Sequence, residues 1–187
     1  MHGQAILATA LPLVSYAIAR PLESRDASTD ITITKLSATF PSSGPYGDPE
    51  VDSFVTISVT YPDPAAADSA TLSTTCTVSW PSGTDPAPTE WTDCVDPTLS
   101  FRLPTDGWTS TGNFQVELWE TLTSDGAGLD AAHLLRMNPS DPSSADSLLW
   151  CQTYGKFTAT QCTLSGPYGQ TPRTVTISAT EGSARPN

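Results

Sequence analysis

The sequence has few basic residues, few histidines and no long hydrophobic segment. Its 187 residues include 8 Lys and Arg against 20 Asp and Glu, which gives a formal net charge of −12. A chain this acidic repels phosphate backbones and anionic headgroups, so nucleic acid and membrane surfaces are disfavoured as partners. No apolar run reaches the ~20 residues that a membrane-spanning helix needs. We therefore expect neither a nucleic-acid partner nor a membrane partner.

The N-terminus has the pattern of a secretory signal peptide. Its apolar run AILATALPLVSYAIA, residues 5–19, ends in small residues, as a signal peptide does before its cleavage site. Pro12 within the run and the run's short length disfavour a membrane anchor. The sequence predicts export and four regions: a signal peptide at 1–19, a polar leader at 20–30, a β-barrel domain at 31–181 and a disordered tail at 182–187.

Scarce histidine limits the chemistry that the chain can perform. Only His2 and His133 are present, and His2 leaves with the signal peptide. A Ser-His-Asp triad would have to use His133, yet no G-x-S-x-G motif accompanies it. Multi-histidine metal sites are disfavoured by the same count, and no CxxC or Cys-His spacing indicates zinc. We expect no cofactor, no metal and no enzymatic activity.

Four cysteines, Cys76, Cys94, Cys151 and Cys162, are expected to form disulfides once the chain is exported. Four cysteines allow three pairings, and the residues alone do not choose among them. Sequential pairing is the economical arrangement, because each bond then bridges neighbouring segments. Each bond should stabilise the fold by ~3 kcal/mol in the chain-entropy model.

Alternation of apolar and polar residues predicts an all-β chain. It occurs in VTISVTY at 55–61, and the segments with a similar pattern are 31–40, 72–80, 99–103, 114–122, 175–179 and two strands around Gly155. A phase change near Lys35 predicts a bulge. The count of about eight or nine strands favours a single antiparallel barrel or sandwich. A short helix is expected only at 128–137, GLDAAHLLRM.

Three aromatic residues are candidate contact residues. SGPYG occurs at 43–47 and again at 165–169, which ordinary turn chemistry explains, because Pro fixes φ and Gly supplies positive φ. The alternative is that two loops present Tyr46 and Tyr168 on one rim, where a rigid amphipathic ring suits binding. Trp119 alternates out of the apolar face of its strand, so it is either an exposed contact or covered by a loop.

Glu117 and Glu120 are the candidate pair for glycoside hydrolysis. Residues three apart on a strand point to opposite faces, so the two carboxyl groups should not face one substrate. Glu120 falls in phase with the apolar face, where an unpaired carboxylate is costly. A register slip at the strand end is therefore the favoured interpretation.

The order of cysteine-containing motifs resembles the fungal Alternaria major-allergen family over residues 31–180. The motifs are ATLSTTC at 70–76, EWTDC at 90–94 and LLWCQTYGKFTATQC at 148–162. The resemblance implies a secreted β-barrel with bonds Cys76–Cys94 and Cys151–Cys162 and no known enzymatic activity. Members are associated with spores or cell walls, with allergenicity, and with eliciting or suppressing plant defence. Some bind plant thaumatin-like defence proteins or small flavonoids.

Two departures from the family limit what is transferred. The family's namesake has an additional N-terminal cysteine that links two chains, and this sequence has no counterpart, so no covalent dimer is expected. The segment 120–147 is long for the family. We interpret the chain as a secreted, non-enzymatic effector or elicitor that acts by binding, with Tyr46, Tyr168 and Trp119 as contacts. The alternative is a cell-wall carbohydrate-binding protein or a cryptic glycoside hydrolase, for which five Trp, five Tyr and five Phe are few.

Overall fold

A computed structural model describes residues 29–42, 51–66, 70–82, 84, 89–155 and 157–187, so the predicted signal peptide and Tyr46 lie outside the described residues. The strands are β1 Asp30–Phe40, β2 Ser53–Pro62, β3 Thr71–Trp80, β4 Thr92–Asp93, β5 Leu99–Arg102, β6 Trp108–Ser110, β7 Asn113–Thr121, β8 Gly128–Arg136, β9 Leu149–Thr153, β10 Thr160–Leu164, β11 Val175–Ser178 and β12 Thr180–Gly182. Two 3-10 turns lie at Thr105–Gly107 and Pro167–Gly169. Within the described ranges, no helix has the length and apolar character to cross a membrane. The all-β prediction is confirmed.

The strands form two antiparallel sheets rather than one closed barrel. The first sheet has the order β3-β2-β1-β10-β9, with β11 also paired to β1. The second sheet has the order β12-β8-β7-β5-β4, with β6 also paired to β7. Barrel closure would need a backbone ladder between the two, and none joins them among the described strands. Of the two arrangements expected from the sequence, a single barrel or a sandwich, the strands do not form the closed barrel.

The two sheets share one hydrophobic core. Alternate residues of each long strand face it, as in β2, where every second side chain is buried. Phe40 and Trp80 of the first sheet contact Trp108 of the second, with ring centroids 5.7 and 5.8 Å away. Phe114 stacks on Trp108 at 5.4 Å. Each such aromatic pair contributes about 1 kcal/mol beyond the burial of its area.

The predicted bulge in the first strand is confirmed. The β1–β2 register shifts between Ile33 and Lys35, and the hydroxyl of the extra residue Thr34 donates to the Ser58 carbonyl at 3.1 Å. The extra residue changes the parity of the strand, so Ile33 and Leu36 both face the core although they are three positions apart.

The helix expected at 128–137 is wrong, because Gly128–Arg136 is strand β8. It pairs with β7 along nine residue pairs, from Asn113–Arg136 to Thr121–Gly128. Leu129, Ala131 and Leu135 are buried at a spacing of two or four residues, which is strand periodicity. The helix propensity of Ala and Leu is a weak preference, and the long ladder with β7 outweighs it.

The two disulfides are Cys76–Cys94 and Cys151–Cys162, the sequential pairing. Cys151 and Cys162 lie directly opposite each other in the β9–β10 hairpin. Cys76 lies in β3, an edge of the first sheet, and Cys94 follows β4, an edge of the second. The Cys76–Cys94 bond therefore joins the two sheets at edges that no ladder connects.

The C-terminal segment 182–187, expected to be disordered, contacts the second sheet. The indole nitrogen of Trp91 donates to the Pro186 carbonyl at 2.8 Å. A guanidinium nitrogen of Arg185 donates to the Ser100 hydroxyl at 3.1 Å. These two polar contacts hold a segment whose composition alone predicts no order.

Candidate functional site

Tyr168 lies at the tip of a loop that is closed by backbone hydrogen bonds. The Gly166 amide donates to the Thr171 carbonyl at 2.8 Å, and the Gly169 amide donates back to Gly166 at 3.1 Å. Tyr168 has φ 58° and ψ 19°, a left-handed conformation that is strained for a residue other than glycine by on the order of 1 kcal/mol. Its side chain is 73% exposed. The loop therefore holds a large ring in solvent in an unfavourable backbone conformation.

The ring of Tyr168 packs on Trp150, with centroids 5.1 Å apart and planes tilted by 53°. Trp150 lies opposite Thr163 on the outer face of the β9–β10 hairpin, because its neighbours Leu149 and Cys151 pair with the buried Leu164 and Cys162. The indole nitrogen of Trp150 has no hydrogen-bond acceptor among the described residues.

A second exposed ring lies at the other end of β9. Tyr154 is 75% exposed and follows the last residue of the strand. Four residues of strand place it about 13 Å from Trp150. Between them, Gln152 pairs with Gln161 across the hairpin. We name these five residues, Trp150, Gln152, Tyr154, Gln161 and Tyr168, the aromatic edge.

The aromatic edge lies in the part of the chain that has no acidic residue. Residues 147–180 contain no Asp or Glu, although the whole chain has 20, and their only charged residues are Lys156 and Arg173. The Arg173 guanidinium donates to the carbonyl oxygens of Ser144 at 3.0 Å and Ser147 at 2.5 Å, so it holds a loop in place. A segment without acidic side chains in so acidic a molecule favours a neutral ligand over a cationic one.

Trp119 is not an exposed contact, because it is only 2% exposed. The covered alternative is correct, and the ring lies against Gly128 and Gly182, which face each other at one end of β8 and β12. A Cβ atom at Gly182 would lie 3.1 Å from Trp119 Cη2, and one at Gly128 would lie 2.7 Å from Cζ2. Both glycines therefore permit the chain to close over the indole.

Of the three contact residues predicted from sequence, the structure gives only Tyr168 an exposed ring. Tyr46 lies outside the described residues, so the pairing of two SGPYG loops on one rim stays a prediction. The exposed Tyr154 and the ring of Trp150 beside Tyr168 were not singled out from the sequence. The stretch without acidic residues, with its aromatics on both sides of Cys151, was a signal in the sequence that could have found them.

Glu120 faces the interior, so the register slip that we favoured is wrong. The β7–β8 pairing continues regularly to Thr121, one residue beyond Glu120. Glu120 is 0% exposed, and neither carboxyl oxygen has a hydrogen-bond partner among the described residues. Burial, reinforced by the negative charges of Asp63 and Asp96, raises the pKa of Glu120 to about 7.

Glu117 points away from Glu120, as the strand geometry predicted. Its Oε2 accepts a hydrogen bond from Arg102 Nε at 2.5 Å on the outer face of the second sheet. The two carboxyl groups therefore lie on opposite sides of β7 and cannot act on one glycosidic bond. Burial lowers the pKa of the half-buried His133. Within the described ranges, no group of three His, Cys, Asp or Glu side chains is arranged to hold a metal ion.

Comparison of the chain with protein-family models, with curated proteins and with solved structures gives no match. Its resemblance to the Alternaria allergen family therefore rests on the cysteine motifs alone.

Proposed function

We propose that this chain is an extracellular, non-enzymatic protein that binds a neutral polysaccharide of the cell wall through the aromatic edge. The observation that carries the proposal is the exposed ring of Tyr168, which a strained backbone conformation holds against Trp150. A pyranose ring presents C–H groups on its face, which pack well on the electron-rich face of an aromatic ring. Gln152 and Gln161 offer amide donors and acceptors that match sugar hydroxyl groups.

Several features of the whole chain support this location and ligand. The two disulfides are typical of proteins that fold in an oxidising compartment, where wall polysaccharides are at hand. The absence of acidic residues from 147–180 suits a ligand without charge. We further propose that the two sheets pack as a β-sandwich, which leaves the outer face of the β9–β10 hairpin open to a long chain.

The second candidate is the effector or elicitor role that the family resemblance implies. Tyrosine side chains also serve protein interfaces, so the exposed Tyr168 and Tyr154 suit a plant defence protein as well. A thaumatin-like protein or a small flavonoid would then replace the polysaccharide at the same edge. We rank this role second, because the extended row of rings and amides matches a linear sugar chain more closely than a compact ligand.

The experiment is retention of the oxidised protein on insoluble chitin, β-glucan and cellulose, in parallel with capture of proteins from plant apoplastic fluid. Tyr168→Asn removes the ring while keeping a residue that tolerates the left-handed conformation, and Tyr154→Ser removes the second ring. Each change should weaken retention roughly fivefold, as expected for the loss of one aromatic contact. Val95→Ser is the matched control, because Val95 is 83% exposed and lies outside the edge.

Retention on one of the three polysaccharides that falls in both tyrosine variants and is unchanged in the control would support the proposal. Failure of all three to retain the protein would overturn it. Edge-dependent capture of one apoplastic protein would then move the assignment to the effector role.

A further inference from the structure

The C-terminal segment 182–187, GSARPN, bends after Gly182 and contacts the outer face of the second sheet. Beyond Gly182 it makes no backbone ladder and is held by side-chain contacts instead. Gly182 lies against the Trp119 ring, at the start of this path. Pro186 and Asn187 lie at its other end, beside Trp91. We name this segment the tail.

Two residues of the tail are recognised by specific groups. The Arg185 guanidinium lies 5.7 Å from the centroid of the Trp91 ring and donates to Ser100 Oγ. Ser100 is 2% exposed, and its hydroxyl donates to Asp93 at 3.0 Å. The same buried hydroxyl oxygen accepts the hydrogen bond from Arg185. The Trp91 indole donates to the Pro186 carbonyl. The Arg185 side chain is thus recognised by a ring and a hydroxyl, and the indole N–H binds the backbone carbonyl of the next residue.

A cavity of about 920 Å³ continues from the tail. Pro186 and Asn187 are among the residues that line it. Glu90 and Asp106 line the cavity, and neither forms an ion pair with a described residue. The Arg102 guanidinium, which lies 4.4 Å from the centroid of the Trp91 ring, also lines the cavity. Its charge is already neutralised by the ion pair with Glu117. The unfilled part of the cavity is therefore acidic.

We propose that this surface is a peptide-binding groove in which the chain's own Arg185-Pro186 is an intramolecular ligand. Its occupant in trans is an extended segment of a partner protein that carries an arginine in the place of Arg185, followed three residues later by Lys or Arg. A tethered tail competes at an effective concentration of about a millimolar, so a partner must make contacts that the tail lacks. A basic residue beside Glu90 and Asp106 supplies them.

The test measures fluorescence anisotropy of a labelled peptide, GSARPNK, against three proteins. These are the full chain, a variant lacking residues 183–187, and full-length Arg185→Ala, which keeps the tail but loses its cation. The truncated variant and Arg185→Ala should both bind the peptide about tenfold more tightly than the full chain, because the competing ligand is removed or weakened.

Peptide variants test the recognised chemistry. GSAAPNK lacks the arginine and should lose most of the binding to the truncated variant. GSARPNE should bind several-fold more weakly than GSARPNK, because the cavity is acidic. Trp91→Phe in the truncated variant should weaken binding of GSARPNK about fivefold, the effect of one lost hydrogen bond.

The proposal is overturned if Arg185→Ala, which tests it without truncation, binds GSARPNK no better than the full chain. Equal binding of GSAAPNK and GSARPNK would overturn it as well. The groove lies on the second sheet and the aromatic edge on the first, so neither result depends on whether the polysaccharide proposal holds.

Discussion

Glu120 is the residue whose environment departs most from what its chemistry favours. Its carboxyl group is buried without a hydrogen-bond partner among the described residues. Nearby, the buried Tyr61 donates to the half-buried Asp96 at 2.7 Å. The Asp96 carboxylate is already occupied, since it also accepts from the Thr98 amide and hydroxyl at 3.0 and 2.8 Å. Burial and the Asp96 bond raise the pKa of Tyr61 to about 12. Glu120 is left as the unpaired acid of this region.

The first prediction concerns the pH dependence of stability. The pKa of Glu120 rises from 4.5 to about 7 on folding. The folded state therefore binds the Glu120 proton more tightly than the unfolded state does. The resulting contribution to the free energy of unfolding is fully present below pH 4.5 and is lost as the pH rises through 7. Between these limits the free energy of unfolding should fall by on the order of 3 kcal/mol because of this group. Denaturant unfolding at several pH values measures it.

Glu120→Gln should remove that part of the pH dependence, because its side chain does not titrate. Glu181→Gln is the matched control, because Glu181 is exposed. This variant should show the same pH dependence of the free energy of unfolding as the parent protein. Parallel profiles for the parent and Glu120→Gln would contradict the assignment of the buried proton to Glu120.

Some of these residue-level features could be predicted from sequence. Strand geometry correctly predicted that Glu117 and Glu120 point to opposite faces, whereas the inward position of Glu120 was set aside in favour of a register slip. The cover over Trp119 could not be predicted, because it depends on glycines from two other strands that close over the ring. The left-handed conformation of Tyr168 could not be predicted from the sequence either, because a non-glycine residue adopts it only where the surrounding loop imposes it.

Among the structural elements, the β9–β10 hairpin is the one that carries the proposed site. Cys151 and Cys162 join its strands directly beside Trp150, whereas Cys76 and Cys94 join the two sheets elsewhere. The two bonds close segments of similar length, with sequence separations of 18 and 11 residues. Their expected effects on stability are therefore similar, but their effects on binding are not.

We predict that Cys76→Ala with Cys94→Ala, and Cys151→Ala with Cys162→Ala, each lower the free energy of unfolding by ~3 kcal/mol. Only the second pair should also weaken polysaccharide retention, because it loosens the strand that positions Trp150. Denaturant unfolding and the retention assay, performed at a temperature where both variants are folded, measure the two effects. Weaker retention in the first pair alone would contradict this division of roles.

Apart from Gly128–Arg136, the strands of four or more residues were predicted, and the shorter ones were not. Strands with several alternating residues, such as Ser53–Pro62 and Thr71–Trp80, are confirmed. Strands of two or three residues, such as Thr92–Asp93 and Trp108–Ser110, are too short to show a period and were missed. Gly128–Arg136 was assigned to a helix because its Ala and Leu residues favour one locally, while its partner strand is formed by an earlier segment.

At the scale of the whole molecule, the sequence predicted the fold class but not the arrangement of the strands. Whether strands close into a barrel depends on which edges pair, and that is decided by contacts between distant segments. Here the β3 and β4 edges are bridged by Cys76–Cys94 instead of a ladder. The same molecule separates its charge, with its acidic residues outside 147–180 and the aromatic edge inside that range.

The central claim is that the uncharged aromatic edge of the first sheet is the binding surface. Its most direct test is backbone amide chemical-shift mapping of the isotope-labelled protein during titration with soluble oligosaccharides of chitin and β-glucan. We predict saturable shifts for one of them that cluster in 149–154, 160–164 and 166–170, with residues of the second sheet unchanged. Shifts confined to the second sheet, or no shift with either oligosaccharide, would contradict the account.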